Sequence, residues 1–288
     1  MKRIFLFLLT NLLMLATLGL ITHLVCLFLG TTLDELIGPE WSMLAIFAAV
    51  YGFVGAFISL LISKPMAKMM CGAWTVDGTE GEAERWLVAT VEELARRANV
   101  KTPEVAIYHG AANAFATGAF KNHALVAVST EIMEQMTKEE LRAVLGHEMS
   151  HVANGDMVTM TLVQGVLNAF VIFFSRALAR ILSSNGKKNS RGLYVMLVWV
   201  FDIVLGLLAS LLVFAYSRRR EYAADAGSAR LLGSPFAMIA ALQRLGNLQP
   251  GVLPDSLRAM GIANRRTSLF STHPSLEDRI AALQNFHA

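Results

Sequence analysis

Four long apolar stretches govern what this chain can fold into. They run roughly over residues 4–29, 41–63, 157–182 and 192–216. A helix of roughly 20 residues crosses the hydrocarbon core of a bilayer, so each is long enough to span. The first two carry no Asp, Glu, Lys or Arg between Ile4 and Leu29 or between Trp41 and Ser63. The first is too long for the core of a signal peptide and lacks a small-residue cleavage site, so it reads as a retained span. The whole chain is 55% hydrophobic and only 16% charged, too apolar for an ordinary soluble domain. A net charge of +3 gives no case for nucleic acid as a partner. The two cysteines, Cys26 inside an apolar run and Cys71, have no metal-motif spacing and indicate no disulfide framework.

Orientation follows from lysine and arginine at the span ends. Lys2 and Arg3 precede the first span, and Lys64 and Lys68 follow the second. The loop between carries Asp34, Glu35 and Glu40 with no basic residue. Both ends of this hairpin are therefore expected in the cytoplasm, together with the hydrophilic stretch 64–156. The second pair is more ambiguous. Arg176 and Arg180 interrupt it, and the loop 183–191 is basic, with Lys187, Lys188 and Arg191. Full crossing would place that loop outside, against the positive-inside tendency. Helices that dip into the bilayer or pack on the soluble part would remove the conflict. Arg218, Arg219 and Arg220 favour a cytoplasmic return in either case.

Between the hairpins the periodicity changes. Glu80 to Asn99 reads as an amphipathic helix, with Trp86, Leu87, Val91 and Leu94 on one side and Thr102-Pro103 as its stop. Glu104–Tyr108, Asn113–Phe120 and Leu125–Val128 read as strands, and Glu131–Gln135 as a short helix. Thr137 and Glu140 form a capping box at the head of a further helix, which Asn154-Gly155-Asp156 ends. Helices are expected again near 218–232, 235–245 and 275–285.

That capped helix contains His147-Glu148-Met149-Ser150-His151. Positions four apart share a helix face, so both imidazoles reach one ion, and Glu148 can hold a water beside it. A catalytic zinc usually has three protein ligands and a water. Downstream, Glu221 and Asp225 are also four apart. One carboxylate can bind the metal while the other accepts a hydrogen bond from a ligand imidazole. The plainer alternative is a solvated face, with Arg218–Arg220 as counter-charges. The Asn113–Phe120 strand is a candidate sheet edge for an extended peptide, or else a purely structural strand.

GHEMSHVANGD, EYAAD and STHP, in this order and between hydrophobic pairs, resemble the HtpX family. These are bacterial inner-membrane heat-shock metallopeptidases related to the CAAX prenyl proteases. The resemblance covers essentially the whole chain, including the ANAFATG segment. It implies a gluzincin-type site: one Zn2+ per chain held by His147, His151 and Glu221, with Glu148 as catalytic carboxylate. It implies Asp225 as the supporting acid and Asn113 as a contact to substrate backbone. It places His273 near the cleft, where the imidazole's chemistry suits a hydrogen bond to a developing oxyanion. It further implies quality control of membrane proteins, with membrane-embedded and unfolded polypeptides as substrates.

The expected fold is α+β and mainly helical. A transmembrane hairpin (1–63) precedes the first part of a zincin-like cytoplasmic catalytic domain with a small β-sheet (64–156). A second hydrophobic hairpin (157–216) separates this from the domain's second part (217–288). Two rival readings stand beside it. An intramembrane protease would use Asp202, inside the fourth apolar run, as a ligand. Against it, Lys138, Glu139, Glu140 and Arg142 place the motif's flank in water. A non-catalytic scaffold or transporter with a structural metal would want cysteine ligands or more helices.

Overall fold

The computed structural model describes residues 33–184, 190–247, 271 and 273–286. The first apolar run, with Lys2, Arg3, His23 and Cys26, lies outside the described residues, as does the centre of the loop 183–191. Among the described residues, three helices are long and apolar enough to cross a membrane, over Leu44–Cys71, Asp156–Ser183 and Arg191–Leu232.

The described chain opens with α1 (Leu33–Cys71), β1 (Trp74–Thr75) and α2 (Glu82–Arg97). Strands β2 (Glu104–Tyr108), β3 (Ala114–Thr117) and β4 (Leu125–Ser129) follow. Next come α3 (Thr130–Gln135), the motif helix α4 (Lys138–Asn154), α5 (Asp156–Ser184) and α6 (Ser190–Leu232). Helices α7 (Phe236–Asn247) and α8 (Leu276–Gln284) complete the order. Among the described residues the structure is mainly helical, with one small mixed sheet.

Two compact units divide this chain. One comprises Met1–Phe57 and Leu162–Ala209. In its described part, α1 and α5 approach so closely that a Cβ on Gly52 would stand 2.6 Å from the Ala169 backbone nitrogen. Glycine is what permits backbones to come this near, the usual device where lipid removes the hydrophobic drive between helices. Tyr51, Trp199 and Ile203 are exposed on the outside. Asp202 lies 3.4 Å from Arg176.

The other unit comprises Ile58–Thr161 and Ser210–Ala288. Its sheet has the order β1-β2-β4-β3. β1 and β2 are antiparallel, β2 and β4 parallel, and β4 and β3 antiparallel. Strand alternation sorts two packed faces. Val105, Ile107, Ala114, Ala116, Val126 and Val128 join the core shared with α2, α4 and α7. Ala106, Tyr108, Phe115, Leu125 and Ala127 pack on the other face against Ala67 of α1. With both faces covered, the strands are apolar throughout. Lys64 and Lys68, at the end of α1, both pair with Glu104 of β2.

Three boundaries differ from those the sequence suggests. The fourth apolar run and the helix expected near 218–232 are one continuous helix of 43 residues. No glycine or proline separates Tyr216 from Glu221, and arginine propagates a helix well. Helix α1 likewise runs past Lys64 and through Pro65 to Cys71. The strand expected over Asn113–Phe120 is β3, which stops at Thr117 because Gly118 turns the chain with φ of 137°. A Cβ there would also lie 2.8 Å from the His123 carbonyl oxygen.

Candidate metal centre

Local chemistry positions the motif helix before any metal is considered. Thr137 Oγ1 accepts the Glu140 N–H at 3.2 Å, and Glu140 Oε2 accepts the Thr137 N–H at 2.8 Å. The capping box is thus complete. At the other end Gly155, with φ of 65°, closes the helix and sends the chain straight into α5. Arg142 grips both oxygens of Glu93 on α2 at 2.7 Å.

Helix α6 brings the distant carboxylates. It crosses α4 where both helices carry small residues. A Cβ on Gly146 would stand 2.8 Å from Ser228 Oγ, and one on Gly227 2.5 Å from Ser150 Oγ. Ser228 Oγ reaches across to the Ala143 carbonyl at 2.7 Å.

The ligand-type atoms of His147, His151 and Glu221 all lie within 4.8 Å of one another, and all three residues are buried. The two Nε2 atoms are 3.1 Å apart. Glu221 oxygens lie 3.5 Å from His147 Nε2 and 3.4 Å from His151 Nε2. His147 Nδ1 is 2.8 Å from Asp225 Oδ1, and His151 Nδ1 is 2.6 Å from Asp156 Oδ2. A carboxylate only accepts, so each Nδ1 bears a hydrogen and each Nε2 turns a lone pair inward. Two lone pairs facing each other beside a carboxylate need a cation between them. The spacings suit a tetrahedral ion with bonds near 2.0–2.1 Å, whose ligand atoms stand about 3.3 Å apart. Glu221 Oε2 is buried without a hydrogen-bond partner among the described residues, so this donor set fits a metal.

Glu148 is also buried, and burial pushes its carboxyl up to about 7. The nearby imidazoles work against this, and so does the Ala116 N–H of β3, which donates to the carboxylate. Strand β3 is an edge of the described sheet, and its Ala116 lies beside Glu148. Burial opposes a charge on His151, but its hydrogen bonds to Asp156 and Glu221 prevail and hold it up near 10. His147 is raised for the same reason, through Asp225 and Glu221.

The remaining expected residues divide. Asn113 heads β3 and is buried. Its N–H donates to Ser129 Oγ, its carbonyl accepts the Ser129 N–H, and its Oδ1 accepts the Ala114 N–H, each at 2.9 Å. His273 comes to the metal-type cluster, with Nδ1 2.9 Å from Glu221 Oε2. That approach is off the direction of a hydrogen bond, and both its ring nitrogens lack hydrogen-bond partners among the described residues. Arg218 holds this segment by donating to the Ser271 carbonyl at 3.0 Å. Among the described residues the metal-type cluster is His147, His151 and Glu221, and Asp202 has Arg176 as its counter-ion.

Two residues of the site escape the sequence reading. Asp156, there a helix stop, receives His151. Arg279 is fully buried and binds Asp225. A signal for Arg279 exists: it falls on the apolar stripe formed by Leu276, Ile280 and Leu283.

A histidine pair on one helix, met by a glutamate from a second, with the carboxylates of Glu148 and Asp225 buried beside them, is the arrangement of a gluzincin-type metallopeptidase. The sequence model of peptidase family M48 matches residues 82–287. "Protease HtpX homolog" of Verminephrobacter eiseniae (strain EF01-2) is 53% identical, over 100% of this chain and 99% of its own length. The protein of that name from Janthinobacterium sp. (strain Marseille) is 51% identical, over 99% of each chain. This chain belongs to peptidase family M48 and to its HtpX group. The crystal structure of S. mikatae Ste24p shares the fold, with a TM-score of 0.55 at 19% identity, covering 96% of this chain and 66% of that one. The chain thus spans just under two thirds of the Ste24p chain.

Proposed function

We propose that this protein is a membrane-bound zinc endopeptidase that hydrolyses misfolded or damaged membrane proteins in quality control. The observation that carries the reading is the convergence of His147 Nε2, His151 Nε2 and Glu221 beside the buried Glu148. One Zn2+ per chain would be held by these two histidines and the glutamate. An ion held there would supply Lewis-acid polarisation of a scissile carbonyl and would make an attacking water more acidic. Glu148 takes the proton of that water and passes it to the leaving amine. Its burial suits the task, because desolvation makes a carboxylate a stronger base toward a neighbouring water. Asp225 and Asp156 hold the imidazoles in one tautomer. His273 donates to the developing oxyanion; its Nε2, buried without a hydrogen-bond partner among the described residues, supports this.

Substrate backbone is read by the β3 edge, which Asn113 heads, through main-chain pairing that demands no particular sequence. The substrates are membrane proteins and unfolded chains presented at the bilayer. Support comes from the chain path: α5 starts five residues after His151, and Glu221 lies five residues beyond the apolar run ending at Tyr216. The protein is a multi-pass protein of the bacterial inner membrane with its site facing the cytoplasm. Its hairpins occupy 1–63 and 157–216, and its catalytic domain combines 64–156 with 217–288.

The test is a paired measurement of bound zinc and of cleavage of a model membrane substrate. Glu148→Gln is expected to keep zinc and lose cleavage, and His147→Ala or Glu221→Ala to lose both. Cleavage by Glu148→Gln at the native rate refutes the assignment.

A further inference from the structure

We propose that Arg279 is a positioning residue of the metal site. It fixes His147 through Asp225, so that helix α8, which offers no ligand, completes the site. This rests on the zinc reading above. Arg279 is the largest fully buried side chain among the described residues. A guanidinium does not shed its charge, so burying one is costly unless it is fully paired. Leu276, Ile280 and Leu283 already pack α8 onto the core, and a leucine or methionine at 279 would continue their stripe. The charge is therefore kept for geometry rather than for packing.

That geometry is specific. Arg279 Nε donates to Asp225 Oδ2 at 2.8 Å and Nη2 to Oδ1 at 2.7 Å. Such a fork fixes the plane of a carboxylate, which one point contact does not. The same Oδ1 accepts His147 Nδ1 at 2.8 Å. Arg279 Nη2 is 3.4 Å from that nitrogen, a longer approach, so Asp225 sets the tautomer. Among the described residues Nη1 has no hydrogen-bond partner, and it lies 3.8 Å from Glu221 Oε2. One guanidinium thus holds the carboxylate behind one ligand and faces another ligand directly. The corresponding arm behind His151 is looser. Arg220 Nε stands 3.3 Å from Asp156 Oδ1, out of hydrogen-bond alignment.

The experiment uses the full-length protein in nanodiscs, titrated with zinc against a chelator and, separately, loaded with cobalt to read its visible absorption. Arg279→Gln is expected to weaken zinc binding about 10- to 100-fold and to alter the cobalt band even at saturation. Arg279→Lys restores the charge but not the fork, and recovers only part of the affinity. A folded Arg279→Gln with native zinc affinity and a native cobalt band overturns the proposal. The double variant Asp225→Asn/Arg279→Gln removes both buried charges yet leaves an oxygen for His147, which guards against misfolding of the single variant. Native affinity and a native band in that folded double variant overturn the proposal equally. Glu221→Ala separates the two readings. Its loss of zinc alongside native binding by Arg279→Gln sinks this inference alone, whereas native zinc binding by Glu221→Ala sinks the metal site itself.

Discussion

His147 Nε2 and His151 Nε2 stand 3.1 Å apart, each with its Nδ1 committed to a different aspartate. Without a metal, a proton is the only cation small enough to relieve the two facing lone pairs. Consistent with this, His151 is held up near 10 and His147 above its ordinary value. At neutral pH, zinc must therefore displace protons. Apparent zinc affinity is expected to climb by about one to two log units per pH unit between roughly pH 6 and 8. Chelator competition at several pH values measures it, and a weakly buffered indicator dye registers the released protons. A flat profile contradicts the arrangement.

Burial that raises Glu148 to about 7 has a consequence for stability. A carboxyl whose folded-state pKa exceeds its unfolded value of 4.5 favours folding below that value. The contribution fades as pH rises through the interval and is gone above about 7. It amounts to about 3 kcal/mol. Glutamine carries no charge to bury. Metal-free Glu148→Gln is therefore expected to melt several degrees above metal-free native protein at pH 8. The gap should narrow steadily toward pH 5. Thermal unfolding of both proteins in the presence of a chelator decides this; equal midpoints at pH 8 refute it.

Legibility in the sequence followed the range of the interaction. The capping box of Thr137 and Glu140, the left-handed stop at Gly155 and the strands around Ile107 and Ala127 depend on neighbours a few residues away. Helical spacing alone also put His147 and His151 on one face. Which of Glu221 and Asp225 meets the imidazole lone pairs was not readable from spacing. It depends on how α6 crosses α4, and the family resemblance supplied that assignment. Residue type hides Arg279, because an arginine in an amphipathic helix ordinarily faces water; its place on the stripe of Leu276, Ile280 and Leu283 signals burial, and the fold supplies its partner Asp225. Arginines 218 to 220 suggested a helix boundary at the membrane edge, yet backbone propensity carried α6 through them to Leu232.

The α4–α6 crossing depends on Gly227. A methyl there would lie 2.5 Å from Ser150 Oγ and 2.8 Å from Ser150 Cβ, so α6 must retreat. Gly227→Ala is expected to cost about 1–3 kcal/mol of stability by overpacking. It should also weaken zinc binding, because Glu221 and Asp225 ride on the displaced helix. Ser150→Gly removes both offending atoms. The double variant Gly227→Ala/Ser150→Gly should then recover zinc affinity lost by the single one. Additive losses, measured by unfolding and chelator competition across the four-member cycle, refute a steric origin.

Two glycines one turn apart on α1 make opposite predictions. At Gly52 a Cβ would meet backbone of α5, 2.6 Å from Ala169 nitrogen and 2.7 Å from the Gly165 carbonyl oxygen. Backbone atoms cannot rotate away, so Gly52→Ala must separate the helices, at about 1–3 kcal/mol. At Gly55 a Cβ meets nothing within 4 Å. There the same substitution only restricts the unfolded backbone and improves helix propensity, worth about 0.5–1 kcal/mol. Thermal midpoints in one detergent should fall for Gly52→Ala and hold or rise for Gly55→Ala. Because both changes add the same methyl to the same apolar helix, a difference in hydrophobicity cannot produce opposite signs. Equal shifts would mean that α1 and α5 do not meet at Gly52.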